Sequence, residues 1–193
     1  MVYRSHVERR TGAEQGVKSV RFLQGPAMWK AVDDGIVSRE ALDAAFKIVP
    51  KTGEPDLRKD EKAGLFLFEY VDGFQGALFM LRCVHGTSIG IKLKDQSKPL
   101  ATAFHERTEP RYPHFAFLLK AIEQMIHTGK PTYPVERTLL TTGILDRGLT
   151  SRSRKGEGQQ HRGKKSVAMK RRSCSWNHSF LLAVLREKRL SSP

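Results

Sequence analysis

Two apolar runs joined by Asp72-Gly73 constrain the fold of this chain more than any other segment. The runs cover residues 65–71 and 74–84, and Asp-Gly between such runs predicts a β-hairpin with a type I′ turn, since both central residues take positive φ. Phe66 and Phe68 fall on one face of the first strand, and Leu65 and Leu67 fall on the other. Because both faces are apolar, we expect the hairpin to lie at the centre of a sheet.

The segments around the hairpin predict further strands and helices. Alternating apolar residues predict strands at 16–25, 88–94 and 100–107. Pro26 opens one short helix, and Ser38 is suited to be the N-cap of a second. Together these elements predict an α+β fold with a largely antiparallel, meander-like sheet backed by helices.

Two longer helical patterns follow, at residues 115–126 and 134–149. In the first, large apolar residues recur at three- and four-residue spacing until Gly129 and Pro131 end the pattern. In the second, Pro134 stands at a helix N-terminus, and Glu136 lies in the first turn, where a carboxylate favours the positive end of the helix dipole. We therefore predict two antiparallel helices that back the sheet.

The sequence of this helix pair resembles the end of the Gfo/Idh/MocA oxidoreductases, the relatives of glucose-fructose oxidoreductase and inositol dehydrogenase. The C-terminal domain of that family often closes with a recurring arrangement of glycine, proline and apolar residues. The positions that fall on it here are Ala121, Ile122, Gly129, Pro131, Pro134, Val135, Glu136, Leu139, Thr142, Ile144, Leu145, Asp146, Ser151 and Gly156. The resemblance extends back to about Val7 and covers most of the chain.

The resemblance implies the substrate-binding and oligomerisation domain of an NAD(P)-dependent oxidoreductase. In that family the dinucleotide lies on the Gly-rich turn of a Rossmann domain, and an E-K-P motif supplies a lysine. This sequence contains neither G-x-G-x-x-G nor E-K-P. We therefore expect no cofactor in this chain and no catalysis by the chain alone, with NAD or NADP bound only if a Rossmann domain is supplied in trans. Whether the chain is part of an enzyme stays open at this point.

Four basic side chains near the last predicted strand are candidates for substrate binding: His105, Arg107, Arg111 and His114. The first two end the strand, and the other two frame the turn into the next helix. Such groups bind sugar hydroxyls, carboxylates or phosphates, although solvated turn residues are the alternative. The resemblance supplies no catalytic residue, because the family's Asp-x-x-x-His pair would fall before Val7. Cys83 and His85 lack the other two ligands of a zinc site, so we expect no metal.

Positive charge is concentrated in residues 151–193, which contain 12 Lys or Arg and 2 acidic residues. This composition predicts a folded domain at 1–152 and a mostly disordered basic tail at 153–193. The tail could bind nucleic acid, with Trp176 stacking on bases, which makes a non-enzymatic nucleic-acid-binding protein the alternative function. Its charge could equally have no partner, as in a sequence translated past a frameshift. Residues 180–190 form its one amphipathic piece, which we expect to dock on the domain or form a short interfacial helix.

Three further expectations concern surroundings and partners. Cys83 and Cys174 are too few for a disulfide framework, which indicates a reducing compartment. No apolar run approaches the length of about 20 residues that spans a bilayer, so we expect a soluble, cytoplasmic protein. Because two helices cover only one sheet face, we expect the other face to bind a second copy or a Rossmann-domain partner.

Overall fold

The computed structural model of this chain describes residues 7, 15–51, 56–93, 96–105, 109, 113–154, 159–160 and 180–186, and for 114, 159–160 and 180–186 it describes the backbone. It confirms the α+β class with a largely antiparallel sheet. The helices are α1 (Pro26–Asp33), α2 (Arg39–Ile48), α3 (Pro113–Thr128) and α4 (Val135–Ser153). The strands are β1 (Val17–Gln24), β2 (Gly64–Tyr70), β3 (Gln75–Leu81), β4 (Thr87–Lys92), β5 (Leu100–Phe104), β6 (Gln159–Gln160) and β7 (Phe180–Arg186).

The strands form one sheet in the order β5-β4-β7-β3-β2-β1-β6. Every neighbouring pair is antiparallel except β4 and β7, which run parallel. The predicted hairpin is β2–β3, and it lies in the interior of the sheet as expected. None of the described helices has the length and apolar character needed to cross a bilayer.

The turn of the hairpin is one residue longer than the sequence predicts. The N–H of Tyr70 donates to the carbonyl of Phe74 at 2.9 Å, and the N–H of Gly73 donates back to the carbonyl of Tyr70 at 3.0 Å. The loop therefore holds Val71, Asp72 and Gly73, with Gly73 at φ 79°. The Asp72 carboxylate accepts a hydrogen bond from the N–H of Phe74 at 3.1 Å, which stabilises this wider loop over a type I′ turn.

Strand β7 comes from the predicted disordered tail and lies inside the sheet. Its backbone pairs antiparallel with β3 and parallel with β4. The interfacial helix considered for residues 180–190 is therefore wrong over Phe180–Arg186, and a short apolar run of strand length accounts for the difference. Most other tail residues lie outside the described residues, so the predicted disorder and the division at residue 152 stay predictions.

Helices cover both faces of the central strands, which corrects the expectation of a single covered face. Helices α1 and α2 pack on one face through a core that includes Trp29, Leu42 and Phe79. The second face packs Phe22, Phe66 and Phe68 together with Leu140 and Ile144 of α4. Phe66 and Phe68 are buried, so the chain itself occupies the hairpin face that we expected a partner to cover.

Close contacts fix both helical layers on the sheet. The buried hydroxyl of Ser88 on β4 donates to the carbonyl of Ala45 on α2 at 2.9 Å. On the other face, the buried hydroxyl of Ser151 on α4 accepts from the N–H of Phe22 at 3.0 Å. Gly148, also on α4, lies against the ring of Phe66 with no room for a Cβ atom. The C-terminal half of α4 is therefore held to the sheet by packing and by a buried hydrogen bond.

Candidate assembly surface

The predicted substrate-binding residues surround the connection from β5 to α3. His105 directly follows β5 and is exposed, and His114 is the second residue of α3. Arg107 and Arg111 lie outside the described residues. The chain order places all four near one strand end, but only the side chain of His105 is among the described ones, so this cluster stays a prediction.

Neither Cys83 nor the metal-binding residue types form an alternative site in the described residues. Within the described ranges, no group of three His, Cys, Asp or Glu side chains is placed to hold a metal ion. Cys83 is a free, half-buried thiol, and its burial raises its pKa above the ordinary value. A thiol with a raised pKa is a poor nucleophile at neutral pH, so Cys83 is better explained by packing than by reactivity.

A shallow cleft of about 160 Å³ lies beside Trp29, where α1 and α2 meet the 3₁₀ turn Leu57–Lys59. Arg58 lines this cleft, with its guanidinium 5.3 Å from the centre of the Trp29 ring. It also donates two hydrogen bonds to Asp33, at 3.0 and 2.7 Å, and these bonds lower the pKa of Asp33. The volume is below the roughly 300 Å³ of a typical ligand pocket. The cleft therefore suits a structural contact between loop and helices.

Asp60 and Arg82 form an ion pair in which the carboxylate is largely buried. The guanidinium of Arg82 donates to the Asp60 carboxylate at 2.8 and 3.3 Å, and the N–H of Lys62 donates to it at 3.0 Å. The Asp60 side chain is 16% exposed. Its burial alone would raise its pKa, but these hydrogen bonds outweigh burial and lower the pKa below the usual 3.8. The pair ties the loop before β2 to the residue after β3.

We expect Asp60→Asn to lower the unfolding free energy at pH 7 by about 1 kcal/mol, because it removes a charged acceptor of three hydrogen bonds. A carboxylate with a lowered folded pKa stabilises the fold above its unfolded pKa, and this stabilisation disappears as the pH falls through the folded pKa. Urea unfolding from pH 7 to pH 2.5 should therefore show the two proteins converging at low pH. Asp43→Asn, in an exposed pair with Arg39, is the control and should change little. A difference between Asp60→Asn and wild type that does not narrow as the pH falls from 7 to 2.5 would contradict this linkage.

The largest unexplained surface is helix α3. Seven of its large apolar side chains are exposed, including Phe117 at 75%, Leu119 at 64% and Ile126 at 72%. The full set is Phe115, Phe117, Leu118, Leu119, Ile122, Met125 and Ile126. A helix of this composition is normally buried, because each such side chain gains about 1.5–3 kcal/mol on leaving water. The exposed side chains of α3 therefore form a candidate interaction surface.

Six of these side chains form one continuous band along α3. At 3.6 residues per turn they fall within an arc of about 120°. We call this band the apolar stripe, and it consists of Phe115, Leu118, Leu119, Ile122, Met125 and Ile126. Phe117 lies off it. The stripe is therefore an apolar surface along the full length of the band.

The opposite side of α3 is nearly neutral and mostly polar, with Phe117 as its large apolar side chain. Lys120, Glu123, Gln124 and His127 lie there, and the Nε2 atom of His127 is 4.0 Å from Oε1 of Glu123. Helices that lie on membrane surfaces usually carry several Lys or Arg on the polar side. One lysine and one glutamate on this side favour a protein partner over an anionic lipid surface.

Helix α4 also exposes apolar side chains in its N-terminal half. Val135 is 72% exposed and Leu139 is 71% exposed. The same helix turns Leu140 and Ile144 toward the sheet. It is thus anchored to the sheet along one side and carries apolar side chains on the other.

The sequence predicts helix α3 correctly but assigns its apolar side chains to the wrong environment. Three- and four-residue spacing identifies an amphipathic helix, and the simplest expectation is that such a helix packs on the chain's own sheet. One feature of the sequence did indicate that α3 has more apolar surface than packing on its own sheet requires. Phe117 places a large apolar side chain outside the single stripe that such packing would bury.

No protein-family model, curated protein or solved structure matches this chain. The resemblance to the Gfo/Idh/MocA oxidoreductases therefore rests on the sequence positions given above.

Proposed function

We propose that this chain is an assembly domain that binds another protein surface through helix α3 and does not catalyse a reaction alone. The observation that carries the proposal is that the apolar stripe is exposed to solvent. By contrast, the apolar core residues on both faces of the sheet are buried. A stripe without charge binds by hydrophobic contact, and apolar exposed patches of this size usually mark protein interfaces.

The resemblance to oxidoreductases gives the proposal a more specific form. Under it, the chain supplies the oligomerisation surface and part of the substrate-binding surface of an oxidoreductase-like assembly. His105, Arg107, Arg111 and His114 are the proposed contacts to a hydroxylated or anionic substrate. Hydride transfer would then require NAD or NADP held by a separate Rossmann domain. The basic residues of the tail lie largely outside the described residues, and nucleic-acid binding stays a prediction.

Ile126→Asp tests the assembly role directly. We expect the wild-type chain to associate at tens of micromolar, and we expect this variant to weaken association at least tenfold, because a carboxylate in the stripe must be desolvated in any interface. Sedimentation velocity over a concentration series measures the effect. Since Ile126 is exposed, the melting temperature at low concentration should stay unchanged.

Gln124→Asp is the matched control, because it places the same carboxylate on the polar side of α3. It should associate as the wild type does. A wild-type chain that is a well-behaved monomer at 50 micromolar and does not respond to Ile126→Asp would overturn the assembly role.

A further inference from the structure

We propose that the occupant of the apolar stripe is the same stripe of a second copy, packed antiparallel about a two-fold axis. This inference rests on the proposed assembly function and names its partner. It follows from the area of the stripe, from the arrangement of its side chains and from the poorer fit of other possible occupants of the stripe.

The area of the stripe suits a pair of identical helices. From the exposed fractions of its six side chains, the stripe exposes on the order of 600 Å² per copy, at the 150–250 Å² typical of large side chains. Two copies would bury about 1,200 Å² in total, which reaches the range of specific protein interfaces. This total assumes that the pair covers the whole exposed area of the stripe, and it equals the lower limit for specific interfaces.

The side-chain pattern selects the antiparallel direction. Phe115, Leu118, Ile122 and Met125 repeat at three- and four-residue spacing and form the seam. The residues beside the seam differ on its two sides: Leu119 and Ile126 on one, Ala121 and Thr128 on the other. An antiparallel pair brings the Leu119 and Ile126 side against itself, whereas a parallel pair would set it against Ala121 and Thr128. Only the antiparallel pair buries the whole stripe.

The seam also predicts which residues meet. In an antiparallel pair centred on the stripe, Leu118 packs against Ile122 of the partner subunit, and Phe115 packs against Met125 of the partner subunit. Each contact occurs twice, as a two-fold axis requires. Because every contact joins two different positions, variants at the two positions can complement one another.

Other occupants fit the stripe less well. Residues 161–179 contain six Lys or Arg and no acidic residue, so their composition is basic and does not match an apolar stripe. A membrane surface would favour more positive charge on the polar side of α3 than one lysine supplies. A second copy, in contrast, presents an apolar surface of equal length and equal area.

The test mixes two variants of the full chain, Ile122→Asp and Leu118→Lys. Alone, each places two charges opposite apolar side chains, and we expect each to raise the dimer dissociation constant at least 100-fold. In a 1:1 mixture, the antiparallel heterodimer has one Asp–Lys pair and one native Leu–Ile contact. Its dissociation constant should be at least tenfold lower than that of either variant alone. Sedimentation equilibrium measures all three samples, and circular dichroism checks that each variant is folded.

The control mixture combines Ile122→Asp with Leu118→Asp, which should not recover because two carboxylates would meet. If both single variants dissociate and the Asp–Lys mixture does not recover, the antiparallel arrangement is wrong, and the assembly function then requires a different pairing of the two copies. If the wild type is monomeric and binds neutral phosphatidylcholine vesicles through the same residues, a lipid surface is the occupant and the proposal fails. A wild-type monomer that binds neither would overturn the assembly function itself.

Discussion

Replacing Gly90 with alanine is expected to destabilise the protein by about 3 kcal/mol, at the upper end of the usual cost of overpacking a core. Gly90 lies on β4 directly beneath α2. A Cβ atom at this position would collide with the backbone carbonyl oxygen of Ala41 and would lie 3.1 Å from the Cβ of Ala45. A backbone atom cannot rotate away as a side chain can, so helix and strand must separate. Thermal unfolding should show a melting temperature lower by about 6–12 °C.

Ala101→Val is the matched control for this prediction. Ala101 pairs with Gly90 on the neighbouring strand and is exposed, so the added methyl groups have space. Its melting temperature should stay within about 2 °C of the wild type. If Gly90→Ala melts as the control does, α2 does not pack on β4 as closely as the structure shows.

Ending the chain at Arg154 is expected to abolish cooperative unfolding. This truncation removes β7, whose backbone pairs with β3 on one side and with β4 on the other. The sheet would be left as two unconnected groups of strands, with unpaired backbone groups along both new edges. We expect a loss of at least about 5 kcal/mol, which equals the whole stability of many domains. Denaturant unfolding followed by circular dichroism measures the loss.

A chain that ends at Arg186 is the control, since it keeps all seven strands and removes only residues 187–193. It should unfold cooperatively, close to the wild type. Val184→Pro provides a second check in the uncut chain, because proline removes a backbone donor from the middle of β7. A chain ending at Arg154 that retained the wild-type transition would show that β7 is dispensable.

Local sequence signals were sufficient for most of the elements. The side chain of Ser38 accepts a hydrogen bond from the N–H of Ala41, as its N-cap assignment predicts, and Pro26 opens α1. The hairpin was identified from Asp72-Gly73 and its apolar flanks, although the loop closes differently. These features depend on neighbouring residues, which is why a single sequence reveals them.

Features that depend on distant residues were not predictable in the same way. The pairing of Phe180–Arg186 with two strands is a property of the whole sheet, and a short apolar run fits a helix or a strand equally well. Whether α3 packs on the sheet also depends on how much of the two sheet faces the other helices already cover. For the candidate site, His105 lies at the predicted strand end, but nothing local in the sequence shows whether Arg107 and Arg111 approach it.

The place of β7 in the sheet also determines when this protein can fold during its synthesis. Strands β3 and β4 follow each other in the chain, yet β7, which lies between them in the sheet, is made about one hundred residues later. At about 5–20 residues per second, the ribosome needs roughly 5–20 s to reach it. Over that interval the facing edges of β3 and β4 stay open to pairing with other nascent chains. The sheet closes only after Arg186 has been synthesised, so strands made early depend on the last strand of the chain.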